Sequence, residues 1–313
     1  MTSRELAIAR SVIYASLFDY PLTLAQLHHA LIESEQTPSE ILAVYDGSAR
    51  LHSIVDHRDG FFFPVGRADL VAERRRREAR SRRFLHQHDG LLRLICALPF
   101  TRLVALSGSI AHRNLEPNGD LDLFIVTRGR RVWTVTVAVL LLTKLLGRRR
   151  VVCANFVLAD SHLALEPQDL FTANQVLHLK PVIGGEWLDA FLAANPFVTR
   201  CYPNALQQRR QRVPREGKNL RVLSGLKTLM EAGLWLPAPM IEATCRRLYA
   251  WHLRRRSASW RSPDQVDLQA DYLKLHTQSH RQSVLDRFDA AVKAATERAD
   301  YEQKPRAAAG GRR

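Results

Sequence analysis

The stretch from Leu103 to Val126 constrains this chain more than any other. Leu103-Val104-Ala105-Leu106 is short, apolar and β-compatible, and it runs into Ser107-Gly108-Ser109. A helix starting there would turn free backbone N–H groups and the positive end of its dipole toward an anion. Gly108 lets the backbone come close to a phosphate and Ser109 offers a hydroxyl donor, so Ser107-Gly108-Ser109 reads as a phosphate cradle. Pro117-Asn118-Gly119 then turns the chain into a second strand, Asp120 to Thr127.

Residues two apart on a strand share a face. Asp120 and Asp122 therefore stand side by side, while Leu121 and Leu123 point into a core. Two carboxylates this close repel each other, and a divalent cation relieves the repulsion. Mg²⁺ is typically held by one or two carboxylates plus substrate phosphates. A pair of such ions can activate an attacking oxygen and stabilise a leaving pyrophosphate. A lone Gly-Ser is ordinarily a turn, and a lone Asp-x-Asp a solvated strand edge. In this order, running into Leu123-Phe124-Ile125-Val126, they read as a joint site.

In these residues the chain resembles the DNA polymerase beta-like nucleotidyltransferase superfamily. Its mark is a strand, a Gly-Ser at a helix start and a paired acidic strand. Ser107-Gly108-Ser109-Ile110-Ala111 and Gly119-Asp120-Leu121-Asp122-Leu123 match that mark in type and order. The match is specific over 103–127 and weaker over about 101–200. Leu17 to Thr23 and Leu179-Lys180-Pro181 also resemble uncharacterised bacterial members of the group. The resemblance implies a nucleoside triphosphate held at Ser107, Gly108 and Ser109, and Mg²⁺ or Mn²⁺ on Asp120 and Asp122. It implies transfer of a nucleoside monophosphate to an acceptor hydroxyl. Arg113, one helical turn beyond Ser109, is a candidate phosphate partner.

The superfamily usually places a third carboxylate on a later strand, as metal ligand and base. Here the next strand, Arg150 to Leu158, has Asn155 as its polar centre. An amide can ligate a hard cation through its oxygen, but it carries no charge and takes no proton. Asp160 on a continuous strand would face away from Asn155, and Glu116 precedes the acidic pair. Three readings therefore stand: a Mg²⁺-dependent nucleotidyltransferase, a nucleotide-binding sensor without turnover, and an RNA- or DNA-binding adaptor on the same scaffold. The acceptor could be a small molecule, an RNA end or a protein side chain.

The 46 Lys and Arg against 31 Asp and Glu give +15, spread unevenly. Residues 1–66 hold 4 Arg against 8 acidic residues, a net −4, so the rest carries +19. That excess suits an anionic partner. The longest apolar run, Val132 to Leu146, is shorter than the roughly 20 residues that span a bilayer, and reads as a helix buried on the sheet. No membrane insertion is expected. Cys96, Cys153, Cys201 and Cys245 lie far apart with no Cys-x-x-Cys, which reads as buried small hydrophobes in a reducing cytoplasm.

The expected class is α+β, in parts. Residues 1–66 read as three helices and a hairpin, a winged-helix-like plan. Thr23 caps the second helix, and Thr37-Pro38-Ser39-Glu40 opens the third. Ser53 to Asp56 and Phe61 to Pro64 form the hairpin. The third helix, Ser39 to Asp46, has no Arg, Lys, Asn or Gln for base edges, so major-groove reading is not expected. Residues 67–100 read as a connecting helix whose arginines, Arg74 to Arg77 with Arg80, Arg82 and Arg83, form a solvated face. Residues 101–200 form the nucleotidyltransferase domain, with a strand at His162 to Leu165 and helices near Leu170 to Leu179 and Glu186 to Ala194. Residues 201–313 read as helical, with a linker at Arg209 to Arg215 and a disordered tail from Lys304. Trp235, Tyr249 and Trp251 read as core. The chain has no internal repeat, His-Glu-x-x-His, Gly-x-Ser-x-Gly elbow or Walker-type lysine loop.

Overall fold

A computed structural model describes residues 1–205, 220–263, 266–275 and 280–302, without the side chains of residues 155, 220–224, 226 and 302. The expected linker at Arg209 to Arg215 and the tail from Lys304 lie outside the described residues. In chain order the elements are α1 (Ser3–Ser16), β1 (Leu22–Thr23), α2 (Leu24–His29), α3 (Pro38–Asp46), α4 (Ala49–His52), β2 (Val55–Arg58), β3 (Phe61–Pro64) and α5 (Asp69–Cys96). Then come β4 (Thr101–Leu106), α6 (Gly108–Ala111), β5 (Leu121–Thr127), α7 (Val132–Leu145), β6 (Val152–Ala159), α8 (Leu170–Leu177), β7 (Lys180–Ile183), α9 (Gly185–Ala193) and α10 (Phe197–Cys201). The last are α11 (Leu220–Leu234), α12 (Ala238–Arg255), β8 (Val266–Leu268), β9 (Tyr272–Leu275) and α13 (Arg281–Glu302). The chain divides into two compact units, and one division falls within α5, between Arg76 and Arg77.

The first unit gathers Met1–Arg76, Thr199–Gln208 and Arg281–Arg313. Three of its helices start on reciprocal Thr caps, Thr2 with Glu5, Thr23 with Gln26 and Thr37 with Glu40. Each box satisfies two otherwise orphaned N–H groups. The sheet runs β1-β3-β2, with β3 antiparallel to both neighbours. Ile8, Leu27, Leu31, Ile41 and Phe62 are fully buried between helices and sheet. Helix α13 packs on α1, where Phe288 meets Tyr14 edge-on at 5.1 Å. The Asn204 amide donates to the carbonyls of His28 and Gln36.

The second unit holds Arg77–Val198 and Arg209–His280. It is a mixed α+β layer built on a six-stranded sheet in the order β7-β4-β5-β6-β9-β8. Only β5 and β6 pair in parallel; the other neighbours are antiparallel. The parallel pair needs a crossover, and α7 supplies it. Helix α7 buries Val132, Trp133, Val135 and Val139, whereas Leu141, Leu145 and Leu146 at its C-terminal end are exposed. Its first turn is capped from far along the chain: the buried Glu242 carboxylate accepts from Trp133 N (2.9 Å), Thr134 N (2.8 Å) and Thr134 Oγ1 (2.6 Å). Among the described residues no helix is long and apolar enough to cross a membrane.

Several sequence expectations are corrected here. His162 to Leu165 is a loop, not a strand, because Asn195 takes the backbone groups a sheet neighbour would need. The stretch after 201 is not wholly helical: β8 and β9 extend the sheet beside β6. Trp235 and Trp251 are more than half exposed, while Tyr249 packs on the core. The arginines of α5 are not simply a solvated face. Arg74 is buried, stacks over Tyr20 at 4.1 Å and donates to the Pro21 carbonyl. Arg80 donates to the Leu115 carbonyl at 2.8 Å.

Candidate functional site

Strands β4 and β5 lie antiparallel, with Leu106 opposite Leu123. Where β4 ends, Ser107 N donates to the Asp122 carbonyl at 3.0 Å. The Ser107-Gly108-Ser109 segment and the acidic strand are thereby neighbours in space. Gly108 sits at φ +58°, the left-handed region that a side chain disfavours. A Cβ there would lie 2.3 Å from Asp122 Oδ2. Helix α6 is a single turn, and the Ser107 hydroxyl does not cap it. Ser107 and Ser109 are half-buried. Arg113 follows α6 at φ +56°, exposed and 3.7 Å from Glu78.

Asp120 lies just before β5 and not on it, and Asp122 is the second residue of the strand, with Cys153 as its parallel partner on β6. Ligand atoms of Asp120, Asp122 and Cys153 all lie within 4.8 Å of one another, each residue half-buried. Burial pushes the Asp120 carboxyl above the ordinary aspartate range, with its own backbone bond opposing. Burial, with the charges of Asp122 and Asp120, pushes the Cys153 thiol up to about 12. A protonated thiol is a soft, weak donor, so Cys153 does not suit Mg²⁺. The two carboxylates do suit a hard divalent cation, together with phosphate oxygens from a ligand.

The strand alternation that singled out Asn155 is broken where it sits. Leu123 pairs with Ala154 and Phe124 with Phe156, so Asn155 is the extra residue in a register shift. Its side chain lies outside the described residues. Asp160 is committed elsewhere: it accepts from Arg102 Nε at 2.8 Å and from Gly129 N at 3.0 Å. Glu116 is exposed, 3.9 Å from Arg77. Cys153 is the group that sequence reasoning missed, since only the β5–β6 register sets it opposite Asp122.

Beside the cradle lies a small cleft, open to solvent, with Ser107, Gly108 and Asp122 on its wall. The loop that brings Leu165 to this cleft is pinned by Asn195, which is fully buried. Its Oδ1 accepts from Leu165 N at 2.8 Å, and its Nδ2 donates to the carbonyls of Leu163 and Phe191, each at 2.7 Å. No family model, curated protein or solved structure matches the chain.

Proposed function

We propose that Ser107 to Asp122 form a metal-dependent triphosphate site and that the protein is a nucleotidyltransferase. The supporting observation is the contact of Gly108 with Asp122, where a Cβ would come within 2.3 Å of the carboxylate. A phosphate seated on that backbone would meet a carboxylate, and the two repel unless a cation lies between them. When bound, Mg²⁺ or Mn²⁺ supplies charge neutralisation on the triphosphate and on the departing pyrophosphate. Asp120 and Asp122 would hold it. Gly108 lets the backbone meet phosphate oxygens, and the hydroxyls of Ser107 and Ser109 donate to them. The acceptor hydroxyl oxygen bonds to the α-phosphorus as the bond to the bridging oxygen breaks; pyrophosphate leaves and the hydroxyl proton passes to solvent. Arg113 is exposed, with the Glu78 carboxylate at 3.7 Å, and its guanidinium would add a phosphate donor.

A second reading, nucleotide binding without turnover, is favoured by Cys153. The third group beside Asp120 and Asp122 is a thiol and not a carboxylate, so a base of the usual kind is missing among the described side chains. The adaptor reading draws less support from α5 than its sequence suggests: Arg74 and Arg80 bond within the fold, while Arg75, Arg76, Arg82 and Arg83 are exposed. In the first unit, α1, α2 and α3 with a β1-β3-β2 sheet fit a winged-helix plan, to which α13 and the one-turn α4 are additions. Helix α3 exposes Pro38, Ser39, Ala43 and Asp46 and carries no Arg or Lys, which suits a scaffold and not a groove reader.

The test is pyrophosphate release from each ribonucleoside triphosphate with Mg²⁺ or Mn²⁺, with a cell extract as source of acceptor. Release by the wild type that is lost in Asp120→Asn supports the transferase. Metal-dependent triphosphate binding with no release selects the sensor.

A further inference from the structure

The cleft beside the cradle has the chemistry of a slot for a flat heteroaromatic ring, and this reading rests on the triphosphate site above. One end is Ser107, Gly108 and Asp122; the remainder is apolar but for a single polar side chain. Phe124 and Phe156 line it with ring centroids 6.0 Å apart, tilted at 43°. Both are buried and fixed on paired strands, opposite one another in register. The polar exception is Gln175 on α8, half-buried. Among the described residues its side-chain amide has no hydrogen-bond partner. An unpaired amide on an apolar wall offers one donor edge and one acceptor edge to whatever enters. The loop that carries Leu165 is already held by Asn195, so the slot is built before any ligand arrives.

We infer that this slot takes the nucleobase of the triphosphate, with Gln175 reading its edge. An aliphatic acceptor would use the apolar walls but leave the amide unsatisfied, which disfavours it. A base suits both, because its faces are apolar and its edge carries adjacent donors and acceptors. Adenine fits best, since a carboxamide meets its amino group and ring nitrogen in a bidentate pair. The phosphates would then lie at Gly108 and the base in the slot, so one ligand spans cradle and cleft.

The experiment measures equilibrium binding of ATP, GTP, CTP, UTP and inorganic tripolyphosphate, each with Mg²⁺. It uses the full chain, Gln175→Leu and Gln175→Glu, with thermal unfolding to establish that each variant is folded. The wild type should bind ATP about tenfold or more tighter than tripolyphosphate, the worth of one bidentate pair. Gln175→Leu should erase most of that advantage while tripolyphosphate binding stays. Gln175→Glu, an acceptor only, should shift preference toward guanine, which presents adjacent donors. If both variants keep the wild-type order among the four nucleotides, the base slot is overturned while the triphosphate site stands. If tripolyphosphate and every nucleotide fail to bind the wild type, the triphosphate site fails and the slot with it.

Discussion

A methyl group on Gly108 would stand 2.3 Å from the Asp122 carboxylate oxygen, at a backbone angle of φ +58°. Gly129 has almost the same angle, φ +60°, with nothing within 4 Å of its Cβ direction. The pair separates contact from backbone strain. Gly129→Ala should cost only the left-handed penalty, about 1–2 kcal/mol. Gly108→Ala should cost that much or more and also lose metal-dependent triphosphate binding. Denaturant unfolding and a binding titration on both variants check this. Equal binding by the two would remove Gly108 from the site.

Glu242 caps the first turn of α7 from far along the chain, taking the N–H of Trp133, 109 residues before it, and both the N–H and the hydroxyl of Thr134. Its charge also faces the positive end of the α7 dipole. Glu242→Ala should destabilise the second unit by about 2–4 kcal/mol, and Glu242→Gln by less, since one amide oxygen still accepts. Chemical denaturation of the three proteins gives the order directly. A negligible loss in Glu242→Ala would mean the cap is not formed in solution.

Much of this fold can be read along the chain where the determinants are local. The Thr23 and Thr37 caps, the hairpin, α7 and the strands β4 and β5 follow from turn chemistry and periodicity. The failures have a common cause in distant partners. His162 to Leu165 reads as a short strand, yet an amide 30 residues beyond Leu165 takes its backbone groups. Strands β8 and β9 are three and four residues long, too short for alternation to register; β9 exists by pairing on β6, and β8 by pairing on β9. In the site, Asp120 and Asp122 were legible as a pair two apart. Cys153 was not, because a register between parallel strands places it. The bulge at Asn155 is likewise invisible to a count of alternate residues.

Asn195 is the clearest single point at which the slot loop depends on one side chain. Asn195→Ala leaves Leu165 N and the carbonyls of Leu163 and Phe191 without their partner. About 2–4 kcal/mol of local stability should be lost. Hydrogen exchange at the Leu165 amide reads it without reference to global unfolding. Protection in Asn195→Ala should fall below that of the wild type by roughly 30-fold to 1,000-fold; unchanged protection would show that other contacts hold the loop.

Cys96 gives a pH signature. Burial pushes its thiol up to about 12, with Lys227 pulling the other way. The folded protein keeps the proton that the unfolded chain releases above about pH 9. Its stabilising contribution is therefore intact below pH 9 and declines as pH rises toward 12, by up to about 1.4 kcal/mol per pH unit. Cys96→Ala should be less stable at neutral pH from its cavity, yet show a shallower decline between pH 9 and 11. Parallel slopes for the two proteins would place the thiol in contact with solvent.

In the proposed site Asp120, Asp122 and the Gly108 backbone bind a triphosphate only through a divalent cation. Calorimetric titration of ATP into the full chain, with Mg²⁺ and with chelator, and repeated on Asp122→Asn, reads that dependence. Binding in the wild type should be at least about tenfold tighter with Mg²⁺, a differential of some 1.4 kcal/mol, with none of that gain in Asp122→Asn. Equal affinity with and without the metal, or a metal effect that survives the loss of Asp122, would contradict it.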